Sequence, residues 1–466
     1  MPSFIETYHC RTGTVNPNSY PVSSVDELYK CLEQATEAHE SGALLDIRVR
    51  TNFLNELHEQ IVARKEDLYH LYERETSLSR SRFETEFERT LNQLRVYRDA
   101  ACTLEQQQTE SVLADRIIAK KPFPIGPIAV FGASNFPLAY STLGGDVMGA
   151  FAAGCPVIVK GHPFHAGTSL LSSEIIQGTL NKLKLHPGIF GHLLDDGYTI
   201  GQALVQDERI KGCGFTGSFE GGMALYRIAQ KRKEPIPFFA EMGSLNPVII
   251  LPDVENLTQH LHALVDSITT DAGQFCTKPG IIFCPSSMLE ETIQTMNARF
   301  NQTPTHPMLH PVILNRYENR IKEIQATNTG TLYLKQAINV PQGFLHVPIK
   351  ELNYSKTLNH EVFGPFCLLV EYDDIKRLES TLSELKGQLT TTIIGKNPAQ
   401  STLFNLACNI AGRVILSGVP TGVAVIPEMH HGGPHPASSD SRFTAVGEAS
   451  ILRFVRCVSV QKSHGT

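Results

Sequence analysis

The sequence lacks three features that would narrow its function at once: a long apolar run, an excess of basic residues, and a Cys-x-x-Cys pair. A membrane-spanning helix needs roughly 18 consecutive apolar residues, and no segment comes near that length. Lysine and arginine number 41 against 47 acidic residues. This acidic balance disfavours a general nucleic-acid binder. We therefore expect neither a membrane nor a nucleic acid as a partner.

The amino-terminal residues and the cysteines indicate a cytoplasmic location. Residues 1–20 contain Glu6, Arg11 and Pro17 but no apolar core of a secretory signal. The ten cysteines are scattered along a long chain, a pattern typical of reduced thiols rather than of a disulfide framework. Any one of these cysteines remains a candidate nucleophile.

Length and composition predict a globular chain with more than one substructure. The 466 residues are too many for one ordinary core, and 41% of them are apolar and 19% charged. The first hundred residues are predicted to be helical. Ser24 and Glu27 form a capping-box pattern at the start of one helix, and apolar residues at steps of three and four from Phe83 to Tyr97 indicate a second.

From Gly126 onward, short apolar runs alternate with helical segments, which is typical of a parallel, doubly wound sheet. The runs predict strands at residues 127–131, 157–160, 213–215, 246–251, 280–284 and 366–370. Helices are predicted at residues 138–153, 169–180 and 289–300. The tail, residues 451–461, is β-prone. The predicted fold class is therefore α/β.

Residues 212–217 match the dinucleotide fingerprint G-x-G-x-x-G, but the match has the wrong context. The fingerprint begins where a strand ends, whereas the first two glycines here fall inside a predicted strand. Further on, Gly217, Ser218 and Gly222 stand at the start of a helix, where small residues let a phosphate approach backbone N–H groups. Taken alone, an ordinary glycine turn explains these three residues better.

Three polar residues outside the apolar runs are candidates for catalysis. Cys276 lies in a short turn among small residues, with Lys278 nearby as a charge that would lower the thiol pKa. Glu241 follows an apolar run and is placed to act as a general base. Asn135 follows a predicted strand, where its amide would donate to an oxyanion. The competing interpretations are a buried cysteine, a solvated surface carboxylate, and a turn or N-cap asparagine.

Five histidines invite a metal interpretation: His162, His165, His430, His431 and His435. Their spacings do not fit one helical face, and the last three lie in a glycine-rich loop. No acid or thiol cluster in the sequence completes a site with them. We therefore expect loop histidines and no metal ligands.

Six motifs follow one another along the chain and together resemble the aldehyde dehydrogenase superfamily. They are GASNFP at 132–137, PVIVKGHPFHAGTS at 156–169, FTGS at 215–218, FFAEMGSLNP at 238–247, GQFCTKPG at 273–280 and EVFGP at 361–365. The resemblance runs from about residue 24 to residue 461. The amino-acid sequences of the motifs are most similar to those of the branch of α-ketoglutaric semialdehyde and NADP-dependent fatty-aldehyde dehydrogenases.

The resemblance implies a role for each matching position. Cys276 corresponds to the nucleophile, and Glu241 to the general base that activates water. Asn135 corresponds to the amide that holds the oxyanion together with the Cys276 N–H. The implied cofactor residues are Lys160 at the adenosine ribose, Gly217, Ser218 and Gly222 near the pyrophosphate, and Glu361 and Phe363 at the nicotinamide and its ribose.

The resemblance also implies an architecture of three parts. Residues 1–102 and 122–240 would form a dinucleotide-binding domain, and residues 241–442 a catalytic domain. Residues 103–121 and 443–466 would form a β-bridging oligomerisation element. An apolar, β-prone tail strand needs a partner edge, so we expect a homodimer or homotetramer.

The implied reaction is oxidation of an aldehyde to a carboxylic acid through a thiohemiacetal and a thioester on Cys276. A semialdehyde such as 2,5-dioxopentanoate is the expected substrate. Two alternatives stay open: a catalytically impaired homologue that acts as a scaffold, and a cysteine hydrolase or acyltransferase. Pro163 stands where many NAD-preferring relatives carry a glutamate that repels a 2′-phosphate. We therefore expect NADP to be used better than NAD, with Lys160 as the cation for the phosphate.

Overall fold

The computed structural model of the protein describes residues 3–107, 109–113, 115–335, 340–352 and 360–463. Within these ranges the chain forms seventeen β-strands: β1 (Phe4–His9), β2 (Thr14–Pro21), β3 (Thr109–Val112), β4 (Arg116–Pro124), β5 (Ile128–Phe131), β6 (Val157–Gly161), β7 (Phe190–Leu194), β8 (Gly212–Thr216), β9 (Phe238–Glu241), β10 (Val248–Ile250), β11 (Ile281–Pro285), β12 (Thr331–Lys335), β13 (Gln342–Pro348), β14 (Phe366–Tyr372), β15 (Gln388–Ile394), β16 (Ala411–Leu416) and β17 (Val455–Ser463).

The same ranges contain thirteen α-helices: α1 (Val25–Glu40), α2 (Ile47–Ala63), α3 (Lys65–Thr76), α4 (Arg80–Gln106), α5 (Gly145–Ala153), α6 (Ala166–Lys182), α7 (Thr199–Gln206), α8 (Phe219–Lys231), α9 (Leu257–Thr269), α10 (Leu289–Gln302), α11 (Pro311–Ala326), α12 (Ile375–Glu384) and α13 (Leu403–Ile410).

Five parallel strands form one sheet, in the order β7-β6-β5-β8-β9. The helices α5 to α8 connect these strands, one between each consecutive pair along the chain. Buried aliphatic residues build the strands, as Val157, Ile158 and Val159 do in β6. In open sheets of this kind, ligands bind at the carboxyl ends of the strands. That edge is therefore where a cofactor is expected.

A second sheet contains seven strands, in the order β12-β13-β14-β11-β10-β15-β16. β12 pairs antiparallel with β13, and the other neighbours are parallel. Side chains of α9 and α10 join Ile250, Ile282 and Leu369 of the sheet in one buried cluster. The strands predicted from apolar runs in both sheets, and the helix predicted for residues 289–300, are confirmed to within two residues at each end.

Two smaller sheets contain residues from the chain ends. β4 is the central strand of an antiparallel sheet with β3 and β17 at its edges, and β1 pairs antiparallel with β2. The prediction that the first hundred residues are helical is therefore wrong for β1 and β2. In β1, buried Ile5 and Thr7 alternate with exposed Phe4 and Glu6, a period-two pattern that is too short to stand out in the sequence.

One predicted helix boundary is also wrong. The helix predicted for residues 138–153 begins only with α5, because residues 138–144 form turns in which Gly144 packs against the backbone of Ser141. The bridging segment predicted from residue 103 becomes a strand only at β3. α4 continues through the polar run because Ala101 and Leu104 keep its apolar face buried.

All ten cysteines are free thiols. In the described part of the chain, no helix has both the length and the apolar character that crossing a bilayer requires.

Candidate active site

The residues predicted to carry function gather between the two large sheets. Asn135 follows β5, Lys160 lies near the end of β6, and Glu241 ends β9, so all three stand at the carboxyl edge of the five-stranded sheet. Cys276 and Glu361 lie in the segments that lead into β11 and β14 of the other sheet. The fold therefore brings residues from both sheets to one place.

A sharp turn before Cys276 is held by an ion pair. Asp271 and Ala272 adopt the left-handed conformation, with φ of 47° and 56°, and Gly273 follows with φ of 69°. A Cβ at Gly273 would lie 2.3 Å from the backbone of the segment before β14, so only glycine fits there. Arg82 of α4 donates through Nε to Asp271 Oδ2 at 2.7 Å. Since left-handed backbone costs about 1–2 kcal/mol per non-glycine residue, such contacts are needed to hold the turn.

Asn246 fixes the turn that carries Cys276, the candidate nucleophile. Its side chain is fully buried, and its Nδ2 donates to the Cys276 carbonyl at 2.8 Å and to the Lys278 carbonyl at 2.9 Å. Its Oδ1 accepts a hydrogen bond from Thr390 Oγ1 at 3.0 Å. Asn246 has φ of 48°, a conformation that asparagine adopts more readily than most residues. The Cys276 turn is thus joined to the start of β10 and to β15.

Cys276, Glu241 and His431 form one compact cluster. The cysteine Sγ, a glutamate oxygen and a histidine nitrogen all lie within 4.8 Å of one another. His431 Nε2 is 3.7 Å from Cys276 Sγ and 2.9 Å from Glu241 Oε2. The side chains of Glu241 and His431 are 4% and 2% exposed. The expectation that no acid or thiol stands with the loop histidines is therefore wrong for His431, because folding joins residues that are 155 positions apart.

The Cys276 thiol is not activated by its neighbouring lysine. Burial raises the pKa of this thiol well above its ordinary value, the Glu241 carboxylate raises it further, and Arg89 opposes the shift. Lys278 was expected to lower this pKa, but it is fully buried and points away, with Nζ donating to the first carbonyl of β14 at 2.6 Å. The proton must leave to a base, and His431 Nε2 and the Glu241 carboxylate are the bases within reach.

Asn135 approaches the same turn from the five-stranded sheet. Its Nδ2 donates to the Gln274 carbonyl at 2.8 Å, two residues before Cys276. The neighbouring rings of Phe136 and Phe275 meet edge to face with centroids 5.5 Å apart. A side-chain amide carries two N–H donors, so the second Asn135 N–H is the group that an oxyanion on Cys276 would use.

Glu361 lies against the segment that follows β9. A Cβ on Gly243 would lie 2.0 Å from Glu361 Oε2, so glycine is required for this approach. The Ser244 N–H donates to the Glu361 carboxylate. Burial raises the pKa of the Glu361 carboxyl, and the buried Lys278 opposes that shift. Phe363, two residues further on, is half-buried.

Lys160 has acidic neighbours that the sequence did not reveal. Burial lowers the pKa of its ammonium group, and Asp195 and Asp196 oppose that shift. The Asp195 carboxylate is engaged, since it accepts a hydrogen bond from the Ile200 N–H at 2.9 Å. Asp196 is exposed. A carboxylate therefore stands near Lys160, although position 163 is a proline.

The start of α8 offers a helix N-terminus at the same sheet edge. Ser218 Oγ accepts from the Gly221 N–H at 3.2 Å, and the Gly217 N–H donates to the Glu241 carbonyl at 3.1 Å. Gly222 is buried, and a Cβ there would lie 2.8 Å from Met242 Sδ, so packing of the helix accounts for this glycine. Parallel strand ends, a helix N-terminus and a nearby lysine fit a dinucleotide.

Two arginines that act on Cys276 form no salt bridge among the described residues. Arg89 of α4 donates to Tyr140 Oη at 2.8 Å, and Arg413 of β16 donates to the Gly422 carbonyl at 2.8 Å. In the described ranges, the Nε atoms of both arginines are buried without an acceptor. Both guanidinium groups interact electrostatically with Cys276. Two guanidinium groups therefore stand at the site without a salt bridge in the described ranges, while the Glu241 and Glu361 carboxylates act on Cys276 in the opposite sense.

Comparison with known proteins identifies the family. The aldehyde dehydrogenase family matches residues 5–441, and the chain belongs to this family. It is 36% identical to the α-ketoglutaric semialdehyde dehydrogenase of Acinetobacter baylyi, over 96% of this chain and 89% of that protein. The chain is therefore an NAD(P)-dependent aldehyde dehydrogenase, an enzyme that oxidises an aldehyde to a carboxylic acid.

Solved structures of low sequence identity share the fold. The 1-pyrroline-5-carboxylate dehydrogenase from Thermus with bound NAD superposes with a TM-score of 0.86 at 17% identity, over 99% of this chain and 90% of that one. The glyceraldehyde-3-phosphate dehydrogenase of Methanocaldococcus jannaschii, complexed with NADP, gives a TM-score of 0.83 at 18% identity, over 99% of both chains. The predicted α/β fold is thus confirmed.

Sequence reasoning missed Asn246 and Arg89 and rejected His431, three residues that build this site. Asn246 lies inside the motif FFAEMGSLNP, and the asparagine next to a proline in this motif is a sequence signal that could have indicated it. Arg89 lies on α4, and the apolar periodicity of that helix identifies its buried apolar residues but not a functional arginine. His431 lies in an irregular loop with no local pattern that indicates its contacts.

Proposed function

We propose that the substrate is a semialdehyde with a carboxylate at its far end, and that 2,5-dioxopentanoate is the physiological example. The observation that carries this proposal is the pair Arg89 and Arg413: in the described part of the chain neither forms a salt bridge, and the Nε of each is buried without an acceptor. Burying a cation without a counter-ion costs free energy, so a bound anion is favoured there. The name of the relative from Acinetobacter baylyi agrees with this substrate class.

Arg82, on the same helix as Arg89, shows the contrasting case of an arginine whose charge is balanced by carboxylates of the protein. Arg82 pairs with Glu86 at 3.0 Å and with Asp271 at 2.7 Å. Arg89 stands seven residues further along α4, which is about two turns, and donates to two neutral acceptors instead, the Tyr140 hydroxyl and the Val423 carbonyl. A substrate carboxylate would accept a charge-assisted hydrogen bond from the free Nε–H of Arg89.

The proposed chemistry uses four residues of the site. Cys276 gives its proton to His431 Nε2, 3.7 Å away, and attacks the aldehyde carbon. The resulting oxyanion accepts hydrogen bonds from the Asn135 amide and the Cys276 N–H, and one such donor contributes about 3 kcal/mol. The nicotinamide of the bound cofactor supplies the hydride acceptor. Glu241 then deprotonates the water that hydrolyses the thioester.

For the cofactor we propose the residues that the family resemblance implies. Lys160 binds the adenosine ribose and Glu361 the nicotinamide ribose. The remaining cofactor positions are Gly217 and Ser218 at the pyrophosphate, Gly222 as support for the start of α8, and Phe363 beside the nicotinamide. We propose that NADP is used better than NAD, since Pro163 supplies no repelling carboxylate. The exposed Asp196 near Lys160 limits this advantage.

The small antiparallel sheet is proposed as the bridge of a homodimer or homotetramer. All four residues of β3 are exposed, and Val112 at its end is 65% exposed. An exposed edge strand presents unpaired backbone N–H and C=O groups, which the strand of a second chain would pair. We retain the division into residues 1–102 with 122–240, 241–442, and 103–121 with 443–466. Light scattering should give a mass of two or four chains, and a single-chain mass would contradict this part of the proposal.

A matched pair of substrates tests the proposed specificity. Reduction of NADP is followed with 2,5-dioxopentanoate and with pentanal, which has the same number of carbons but no carboxylate. We expect kcat/KM for the semialdehyde to exceed that for pentanal by at least about tenfold, the effect of one charge-assisted hydrogen bond. Equal values, or a preference for pentanal, would refute the proposed carboxylate site.

A further inference from the structure

We propose that Cys276, His431 and Glu241 form a reversible, inhibitory binding site for Zn²⁺. One sulfur, one imidazole nitrogen and one carboxylate oxygen lie within 4.8 Å of one another. These are the three kinds of donor that zinc binds in proteins. Three protein ligands with a fourth position open to water is a common zinc arrangement.

The interatomic distances suit a tetrahedral ion. Zinc bonds of about 2.0–2.3 Å place neighbouring ligand atoms about 3.4–3.6 Å apart. Cys276 Sγ is 3.7 Å from His431 Nε2, and His431 Nε2 is 2.9 Å from Glu241 Oε2. The third pair, Cys276 Sγ and the Glu241 oxygen, lies within 4.8 Å, so shifts of about 1 Å in these side-chain atoms bring all three to the spacing of zinc ligands.

An unpartnered buried atom points to the same site. In the described part of the chain, Glu241 Oε2 accepts no aligned hydrogen bond, although its side chain is only 4% exposed. His431 Nε2 lies at contact distance from this oxygen without the alignment of a hydrogen bond. A buried carboxylate oxygen without a donor is costly, and a coordinated cation removes that cost.

Charge and proton balance are satisfied at this site. On binding, the Cys276 thiol releases one proton to solvent, and the thiolate and the Glu241 carboxylate together neutralise the two charges of Zn²⁺. The positive groups of Arg89 and Arg413 therefore face no net cation. His431 binds as the neutral imidazole through Nε2.

Inhibition follows from which groups the ion engages. Zn²⁺ would hold the nucleophile and the base together, so no thiohemiacetal forms until a chelator removes the ion. This consequence rests on the proposed roles of Cys276 and Glu241. Binding itself does not, so it can be measured separately from turnover.

Binding is measured by equilibrium dialysis of Zn²⁺ and by the near-ultraviolet thiolate-to-metal absorption of Co²⁺ used as a substitute. The wild-type enzyme should bind one ion per chain, give the Co²⁺ band, and protect Cys276 from alkylation until EDTA is added. Cys276→Ser should abolish the band, and His431→Asn, which removes a ligand, should weaken zinc binding by at least about 10-fold, the lower limit for loss of a group that only supports a ligand.

Two matched controls address other histidines and thiols. His430→Asn changes the neighbouring histidine, and Cys408→Ser removes an exposed cysteine. Both controls should bind zinc as the wild type does. Zinc binding that survives in Cys276→Ser, or that is lost in Cys408→Ser, would overturn the proposal. Zinc binding with intact turnover would instead contradict the assigned role of Cys276.

Discussion

Replacing Arg89 by leucine is expected to lower activity towards a carboxylated aldehyde far more than towards an uncharged one. The leucine removes the guanidinium that acts on Cys276, together with its hydrogen bonds to Tyr140 at 2.8 Å and to the Val423 carbonyl. Both of these contacts are lost for every substrate. Only the carboxylated substrate also loses a charge-assisted hydrogen bond, which is worth about 1.5–3 kcal/mol. The ratio of the two kcat/KM values should therefore fall by about 10- to 150-fold.

The assay compares 2,5-dioxopentanoate with pentanal in the wild type, in Arg89→Leu and in Arg95→Leu. Arg95 is exposed on the same helix. Arg95→Leu is the matched control, because this substitution removes the same charge outside the site. The ratio should change in Arg89→Leu and stay constant in Arg95→Leu. An equal loss for both substrates in Arg89→Leu would refute the carboxylate site.

Three further perturbations probe other parts of the site. Asn246→Ala removes hydrogen bonds of about 1 kcal/mol each, so Tm and kcat should both fall. The control Asn256→Ala, at a residue with a similar φ of 55°, should leave kcat unchanged. An unchanged kcat in Asn246→Ala would contradict the anchoring role of Asn246. Asp196→Asn should raise the NADP-to-NAD ratio of kcat/KM, and Pro163→Glu should lower it. If neither substitution changes the ratio, the adenosine ribose of the cofactor does not bind near these residues. Because burial raises the thiol pKa, alkylation of Cys276 by iodoacetamide should keep accelerating with pH beyond about 8.5, and an earlier plateau would contradict the raised pKa.

Local interactions made part of the fold predictable. The capping box at the start of α1 depends on four consecutive residues, and the structure shows both of its bonds: Glu27 N–H to Ser24 Oγ at 3.2 Å and Ser24 N–H to Glu27 Oε2 at 2.7 Å. The parallel strands were visible because strands buried on both faces are continuous apolar runs. Neither feature depends on distant parts of the chain.

The amino-terminal hairpin was not predictable in this way. Its buried positions include Thr7 and Asn16, whose side chains satisfy each other through a hydrogen bond of 3.0 Å. Polar residues at buried positions conceal the alternation by which a strand is recognised. Ile5 and Tyr20 complete the hairpin only by packing against residues of α6 and β7.

The same distinction between local and long-range interactions applies to the residues of the site. Cys276 and Glu241 lie in motifs that stand out in the sequence, and their closeness agrees with the roles inferred from the resemblance. The direction of the Lys278 side chain depends on the carbonyl that it meets in β14, so nearness in sequence to the nucleophile was misleading. His431 joins the cluster through a contact between residues 155 apart, which no local pattern indicates.

Trapping of the acyl-enzyme tests the assignment of nucleophile and base most directly. Glu241→Gln is mixed with the semialdehyde and NADP, quenched in acid, and digested for mass spectrometry. Since acylation needs Cys276 and hydrolysis needs Glu241, we expect one burst equivalent of reduced cofactor and an acyl group on the peptide that contains Cys276. Cys276→Ser combined with Glu241→Gln should give neither. A smooth steady state without an adduct on Cys276, or an adduct on another cysteine, would contradict the assignment.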